Sequence, residues 1–388
     1  VRASLTITST LPLVALGFGL VVAPPPASAV TYTIIYNFTN TKRDGAGPDS
    51  DLTKVGPYLY GTASVDFSKA GVIFRIKPSR SASVIHKFTR NTGDVTDSGL
   101  LAVGKTLYGT TKYGGSGGGC SSGYGGCGVL YTLTPPKSYT DLVNFQPSNG
   151  IPSGGLSTDG TTLYGAATGS YEGGDVGTVY SVTPSGTVSV IYNFKDNGTD
   201  GFSPFAAPTP LNGTLYGTTY EGGVHGVGTL YAIAPGGTET ILHSFSGAGD
   251  GAYPAGQLLN VNGNFYGTTG GEYGNDNNGY GSVFEITPGG TYTVLYQFTG
   301  KSDGEYPNGD LAVLNGVIYG TTHAGGGKNS FGTVFSVTPG GVFKTIHSFK
   351  GADGSNPGGG LLADGKLLYG TTSSGGSIGY GTVFTIQP

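Results

Sequence analysis

The chain has 388 residues, of which 75 are glycine and only 11% are charged; the usual glycine share is about 7%. Glycine follows no three-residue period and proline numbers only 22, which excludes collagen. An aromatic content of 11% with a net charge of −4 excludes a disordered chain. So much glycine also excludes a helical protein, because each interior glycine costs about 1 kcal/mol relative to alanine. What remains is a turn-rich, all-β protein, mildly acidic and without the Lys/Arg clusters that mark a nucleic-acid partner.

Residues 1–29 read as an export signal. Arg2 is the one charge there, an apolar run follows at Leu11–Val22, and Ala27-Ser28-Ala29 supplies the small residues of a cleavage site. The apolar run is too short for a membrane anchor, which needs ~20 residues. The expected organisation is therefore a signal peptide at 1–29 and one domain at 30–388. The mature protein is expected to be secreted or at the cell surface, monomeric and without a membrane span.

Three strings then recur seven times each. Leu-Tyr-Gly-Thr-Thr or a near variant carries its tyrosine at Tyr60, Tyr108, Tyr164, Tyr216, Tyr266, Tyr319 and Tyr369. Gly-Thr-Val-Phe-Ser-Val-Thr-Pro at 332–339 has counterparts ending at Pro78, Pro135, Pro184, Pro235, Pro288 and Pro388. An apolar pair shortly before a phenylalanine ends at Phe38, Phe88, Phe145, Phe194, Phe245, Phe298 and Phe349.

Each unit of about fifty residues predicts four short antiparallel strands. A brief apolar segment such as Gly360-Leu361-Leu362 turns through Asx-Gly into Leu367–Thr372; Asn262-Gly263, Asn315-Gly316, Asn212-Gly213, Asp159-Gly160 and Asp364-Gly365 suit two-residue type I′ turns. The Val- and Phe-rich third strand ends in Pro-Gly-Gly at 288–290, 339–341 and 235–237, read as a type II turn into the fourth strand. Several such units predict a propeller. The last unit lacks a fourth strand, and Tyr32–Phe38 is a fourth strand belonging to no earlier unit. The prediction is a seven-bladed, all-β propeller in which Tyr32–Phe38 pairs beside Gly381–Ile386 and closes the ring, since an open edge invites aggregation.

With strands running from inside to outside, the long variable loops share one face, where binding usually resides. They carry Tyr113, Tyr171, Glu172, Tyr220, Glu221, Glu272, Tyr273 and His323 beside Gly-Gly pairs, a set suited to stacking on sugar rings and bonding hydroxyls. Against that stands a structural reading, in which a residue repeated in equivalent blades serves the blade. Asp-Gly steps at Asp200, Asp250, Asp303 and Asp353 then make turns. They lack the D-x-D-x-D run that would favour calcium, which wants six to eight oxygens. Cys120 and Cys127 stand in one Gly/Ser-rich insertion and are expected to form a disulfide. His86, His243 and His347 alternate with Tyr36, Tyr192 and Tyr296 at one repeat position, which calls for a flat ring with a polar edge. No nucleophile or metal motif accompanies His225 or His323, so neither cofactor nor metal is expected. Asp66, Phe202, Phe205 and the cysteine loop break the repeat and are where a unique site would differ from its copies.

The run Leu-Tyr-Gly-Thr-Thr through Thr-Pro-Gly-Gly, nearly intact at 318–341 and 368–388, resembles the GloVer tandem repeat, and the resemblance extends over 30–388. That family comprises exported bacterial proteins built from such units, often with an interchangeable C-terminal anchor. Here no anchor follows the last unit, which implies secretion or non-covalent surface association. The family offers no catalytic residues to carry over. Kelch propellers are a more distant resemblance, lacking here the kelch tryptophan. Two functions follow as expectations. The leading one is a binding or structural scaffold with a glycan or cell-surface protein at the long-loop face. The alternative is a carbohydrate-active enzyme, a hydrolase or lyase using Glu172, Glu221 or His225.

Overall fold

The computed structural model describes residues 29–388, except 42, 43, 65–69, 78, 95, 97, 119, 121–124, 137, 170–175, 248 and 272–278. The signal segment therefore lies outside the described residues apart from Ala29, as do Asp66, Tyr171, Glu172, Glu272 and Tyr273. Seven four-stranded antiparallel sheets form a seven-bladed propeller, and the described residues include one short 3-10 turn and no α-helix. Among the described residues no helix is long and apolar enough to cross a membrane.

Blade 6 shows the unit: Ala312–Leu314, Val317–Thr322, Thr333–Val337 and Phe343–Ser348, hydrogen-bonded in that order. Blade 7 takes Leu362–Asp364, Leu367–Thr372 and Thr382–Gln387 from the end of the chain and Thr31–Asn37 from its start. Thr31 pairs with Gln387 and Asn37 with Thr382, so the ring is closed as expected.

Turn chemistry explains the hairpins, with three corrections. Asn212-Gly213, Asn262-Gly263 and Asn315-Gly316 hold positive φ at both positions, as a type I′ turn demands. In blade 7, however, Asp364 is the last paired strand residue, and the turn is Gly365-Lys366 with the positive φ on glycine alone. In blade 3, Asp159 and Gly160 belong to a longer loop between Thr158 and Leu163. At Pro288-Gly289-Gly290 the positive φ falls on Gly290, not Gly289, and Gly290 N–H donates to Thr287 at 2.9 Å. That is a type I turn followed by a left-handed residue. Only 234–237 has positive φ at its third residue, Gly236, as a type II turn requires.

The core explains the recurring strings. Third-strand aromatics such as Phe335 and Phe384 are fully buried, and each lies across the glycine of the neighbouring Tyr-Gly-Thr-Thr strand. A Cβ on Gly320 would stand 2.5 Å from the Phe335 ring. The phenylalanine after each fourth strand packs on the third-strand aromatic of the next blade, as Phe298 does on Phe335 at 5.2 Å and Phe349 on Phe384 at 5.4 Å. Just before it every fourth strand has a register shift that leaves one branched apolar residue unpaired (Leu295 in blade 5, Ile346 in blade 6). Such a bulge adds twist and re-aims the following rings. Apolar clusters accordingly lie between consecutive blades, and the one at the closing seam, Phe38 with Leu52, Leu59, Phe74 and Val383, is built like the others.

Candidate functional site

The described parts of the long loops are laced together across the junctions from blade 3 to blade 7. Ser203, Tyr253, Tyr306 and Asn356, each left-handed with φ of 55–57° and each followed by proline, sit between blades. Their N–H groups donate to the preceding blade's loop at Val176, Val227, Tyr280 and Phe331, over 2.8–2.9 Å. Their carbonyls accept from the next blade's loop at Tyr220, Gly270, His323 and Ser373, over 3.0–3.2 Å. A rim braced in this way can hold side chains at fixed spacing.

One stretch of it carries an aromatic row. Phe205 meets Tyr220 edge to face at 4.9 Å, and Tyr220 meets Tyr253 at 4.9 Å. All three are part-exposed. Beside them Gly201–Phe202 pairs with Glu221–Gly222 in a two-stranded strap that blade 4 alone possesses among the described residues. Glu221 Oε2 accepts from the Ser203 hydroxyl at 3.1 Å.

The other expected residues are dispersed. Tyr113 is buried in the core between blades 2 and 3, in the same cluster as Cys120 and Cys127, and is paired through its backbone with Asp94 at 2.7 and 2.9 Å. It is not displayed for stacking. Cys120 and Cys127 are joined, S–S 2.01 Å, and both are fully buried in the same cluster. His323 is half-buried, with Asn356 Nδ2 donating to its backbone carbonyl at 3.3 Å. Burial lowers its imidazole pKa. The Tyr171-Glu172 and Glu272-Tyr273 loops lie outside the described residues.

The Asp-Gly steps are structural fittings. Tyr36, Tyr192 and Tyr296 donate to Asp44, Asp200 and Asp303 at 2.8–3.0 Å, while His243 and His347 bond Asp250 and Asp353 at 2.9 and 3.0 Å. Each of those rings but Tyr36 and Tyr192 stacks on an aromatic residue of the next blade's fourth strand; His243, for instance, lies 4.0 Å from Tyr292. Among the described residues no group of three His, Cys, Asp or Glu side chains is placed to hold a metal.

A second feature lies at the axis. The residue just before the leucine at the start of each blade (Pro208 in blade 4) is Asp51, Gly99, Gly155, Ala207, Gln257, Asp310 or Gly360. Asp51 of blade 1 and Asp310 of blade 6 bring their carboxyls within hydrogen-bonding reach of each other, past the small Gly360 of blade 7. Gly360 N–H donates to Asp51 Oδ1, and Gln257 N–H to Asp310 Oδ1 at 2.7 Å. Burial first, and the facing Asp51 carboxyl second, raise the Asp310 pKa well above the usual carboxylate range. Sequence inspection passed over both residues. The signal was there, as two acids at a position filled elsewhere by Gly, Ala or Gln.

Known structures share this architecture. A streptogramin B lyase aligns over 92% of this chain and 97% of its own, with 13% identity and a TM-score of 0.59. A putative 6-phosphogluconolactonase from Bacteroides uniformis aligns over 82% and 89%, with 14% identity and a TM-score of 0.50. At such identities the likeness establishes the propeller fold and nothing of the chemistry. No curated protein matches the chain in sequence. The recurring strings are a different matter, for residues 152–384, more than half of the chain, match the Gloeobacter/Verrucomicrobia repeat, and the protein belongs to that family.

Proposed function

We propose that this protein is an exported binding scaffold whose ligand, a glycan or a cell-surface protein, docks on the long-loop face. The observation that carries the reading is the Phe205–Tyr220–Tyr253 row, three part-exposed rings held in contact by a braced rim with the Glu221 carboxylate alongside. Aromatic faces with a nearby acceptor suit the apolar faces and hydroxyls of a sugar, and rings pre-set by the backbone lose little entropy on binding. The buried disulfide and the lack of a membrane-spanning helix among the described residues are compatible with export.

Catalysis on a carbohydrate is the second reading, and the Asp51–Asp310 pair is what favours it. Glycosidases, however, separate their carboxyls by ~5–5.5 Å or ~6.5–9.5 Å. Asp51 and Asp310, by contrast, face each other with the Gly360 and Gln257 N–H groups donating to them, so both acids are engaged by the ring itself, and binding is preferred. Glycan-array and surface pull-down screens should find a ligand whose affinity falls at least tenfold in Tyr220→Ala. New reducing ends or unsaturated products in polysaccharide digests, with no ligand retained, would reverse the order of the two readings.

A further inference from the structure

Glu239 stands where blades 2, 5, 6 and 7 use an aromatic ring. At the corresponding position Tyr292 stacks on His243 at 4.0 Å, Phe343 on Tyr296 at 3.6 Å, and Tyr32 on His347 at 4.1 Å. In blade 4 the carboxylate instead faces Tyr192, whose hydroxyl lies 2.8 Å from Asp200 Oδ2 and 3.4 Å from Glu239 Oε2.

The aspartate differs from its counterparts as well. Both carboxylate oxygens of Asp44, Asp250, Asp303 and Asp353 receive donors. Asp200 Oδ1 receives none, and neither does Glu239 Oε1, although both oxygens are buried. Blade 3 has Lys195 after its phenylalanine, where Thr39, Ser246 and Thr299 supply a hydroxyl to their aspartates. Two buried acceptor oxygens that lack donors, on carboxyls within reach of each other, are satisfied together by one proton.

We propose that Glu239 and Asp200 form a proton-operated latch on the strap that lies beside the aromatic row. With the proton in place, the Glu239 carboxyl donates to Asp200 and holds it. Asp200 directly precedes the strap: its carbonyl accepts from Gly223 N–H at 2.8 Å, and Gly201–Phe202 then pairs with Glu221–Gly222. When the proton leaves to solvent, two carboxylates face one another across a half-buried junction and the strap loosens. The other groups facing Glu239 are the Tyr192 and Tyr231 phenols, which stay neutral, and Lys195, whose charge favours ionisation but is outweighed. Burial first, then Asp200, pushes the Glu239 carboxyl up to about 7, which sets the operating range near neutrality.

The effect on ligand rests on the reading of this face as a binding surface; the latch itself is tested without ligand. Amide exchange of the full chain, corrected for the intrinsic pH dependence of exchange, should show protection in segment 196–205 and at 220–223 falling at least fivefold between pH 6 and pH 8. Segments of blades 6 and 7 should hold steady. Glu239→Gln keeps a donor toward Asp200 without titrating and should hold the strap at both pH values. Carboxyl-labelled glutamate NMR should show one resonance titrating near neutrality in the wild type and absent from the variant. Flat protection in the wild type, or the same fall in Glu239→Gln, would overturn the latch and leave the binding proposal standing.

Discussion

Phe38 packs its ring 5.0 Å from that of Phe74, at an interplanar angle of 73°. The same relation joins Phe298 to Phe335 and Phe349 to Phe384 between blades contiguous in sequence. Here it joins the start of the chain, through blade 7, to blade 1. Three more contacts cross this seam: Thr371 Oγ1 donates to the Ser50 carbonyl at 3.1 Å, Gly360 N–H to Asp51, and Lys54 pairs with Asp364. The first repeats a bond that Thr321 makes to the Gly359 carbonyl at 3.2 Å. The exposed ion pair adds little.

Phe38→Ala should therefore destabilise the ring as much as Phe349→Ala does, by about 3–5 kcal/mol for a buried phenylalanine. Urea unfolding of both variants is the check. A far smaller loss for Phe38→Ala would mean that the seam contributes less than an ordinary blade interface.

Gly320→Ala places a methyl group 2.5 Å from the Phe335 ring, which is fully buried. Overpacking of this kind costs about 1–3 kcal/mol. The double variant Gly320→Ala/Phe335→Leu should cost less than the sum of its two single changes in thermal melts. Strict additivity would show that the ring does not set the need for glycine.

Asp310→Asn tests the axial pair. The folded pKa of Asp310 is raised, so its protonated form is favoured by folding. The associated stability is complete below the unfolded value of ~3.9 and is lost as pH rises through the folded value. The variant should match the wild type at pH 4 and melt higher at pH 8, by roughly 2–4 °C for each kcal/mol recovered. A variant that melts lower at pH 8 would mean that the ionised pair is stabilising.

His86 stacks 3.6 Å from Tyr139, and its Nε2 has no partner. Burial lowers its pKa to about 4, despite the opposing pull of Asp141. Between pH ~4 and ~6.5 the unfolded chain binds the extra proton, so stability should climb with pH across that window and level off above it. Urea midpoints of His86→Phe should lack this climb. An unchanged slope would assign it to other groups.

Much of the fold was legible because each blade is specified by short-range chemistry. Asn-Gly at a hairpin and a proline after a third strand announce themselves within a few residues, and sevenfold recurrence makes the pattern unmistakable. Even the closing strand, expected at Tyr32–Phe38 and found at Thr31–Asn37, could be named, since it is a fourth strand lacking a blade. Less local features were misread or missed. The Pro-Gly-Gly turn type depends on which glycine takes positive φ, and the fourth-strand bulge depends on the partner strand's register.

The candidate sites lay further beyond sequence. Tyr113 and Tyr220 occupy comparable loop positions, yet one is buried beside a disulfide and the other sits between Phe205 and Tyr253. Sequence by itself determined seven equivalent units and how they join, because hydrogen-bonding and packing needs repeat with the unit. Only the tertiary structure decided that Asp51 meets Asp310 and that Glu239 faces Asp200, because periodicity assigns a residue its place in a blade. Distances between blades come from the radius, twist and close approach of seven sheets packed around one axis.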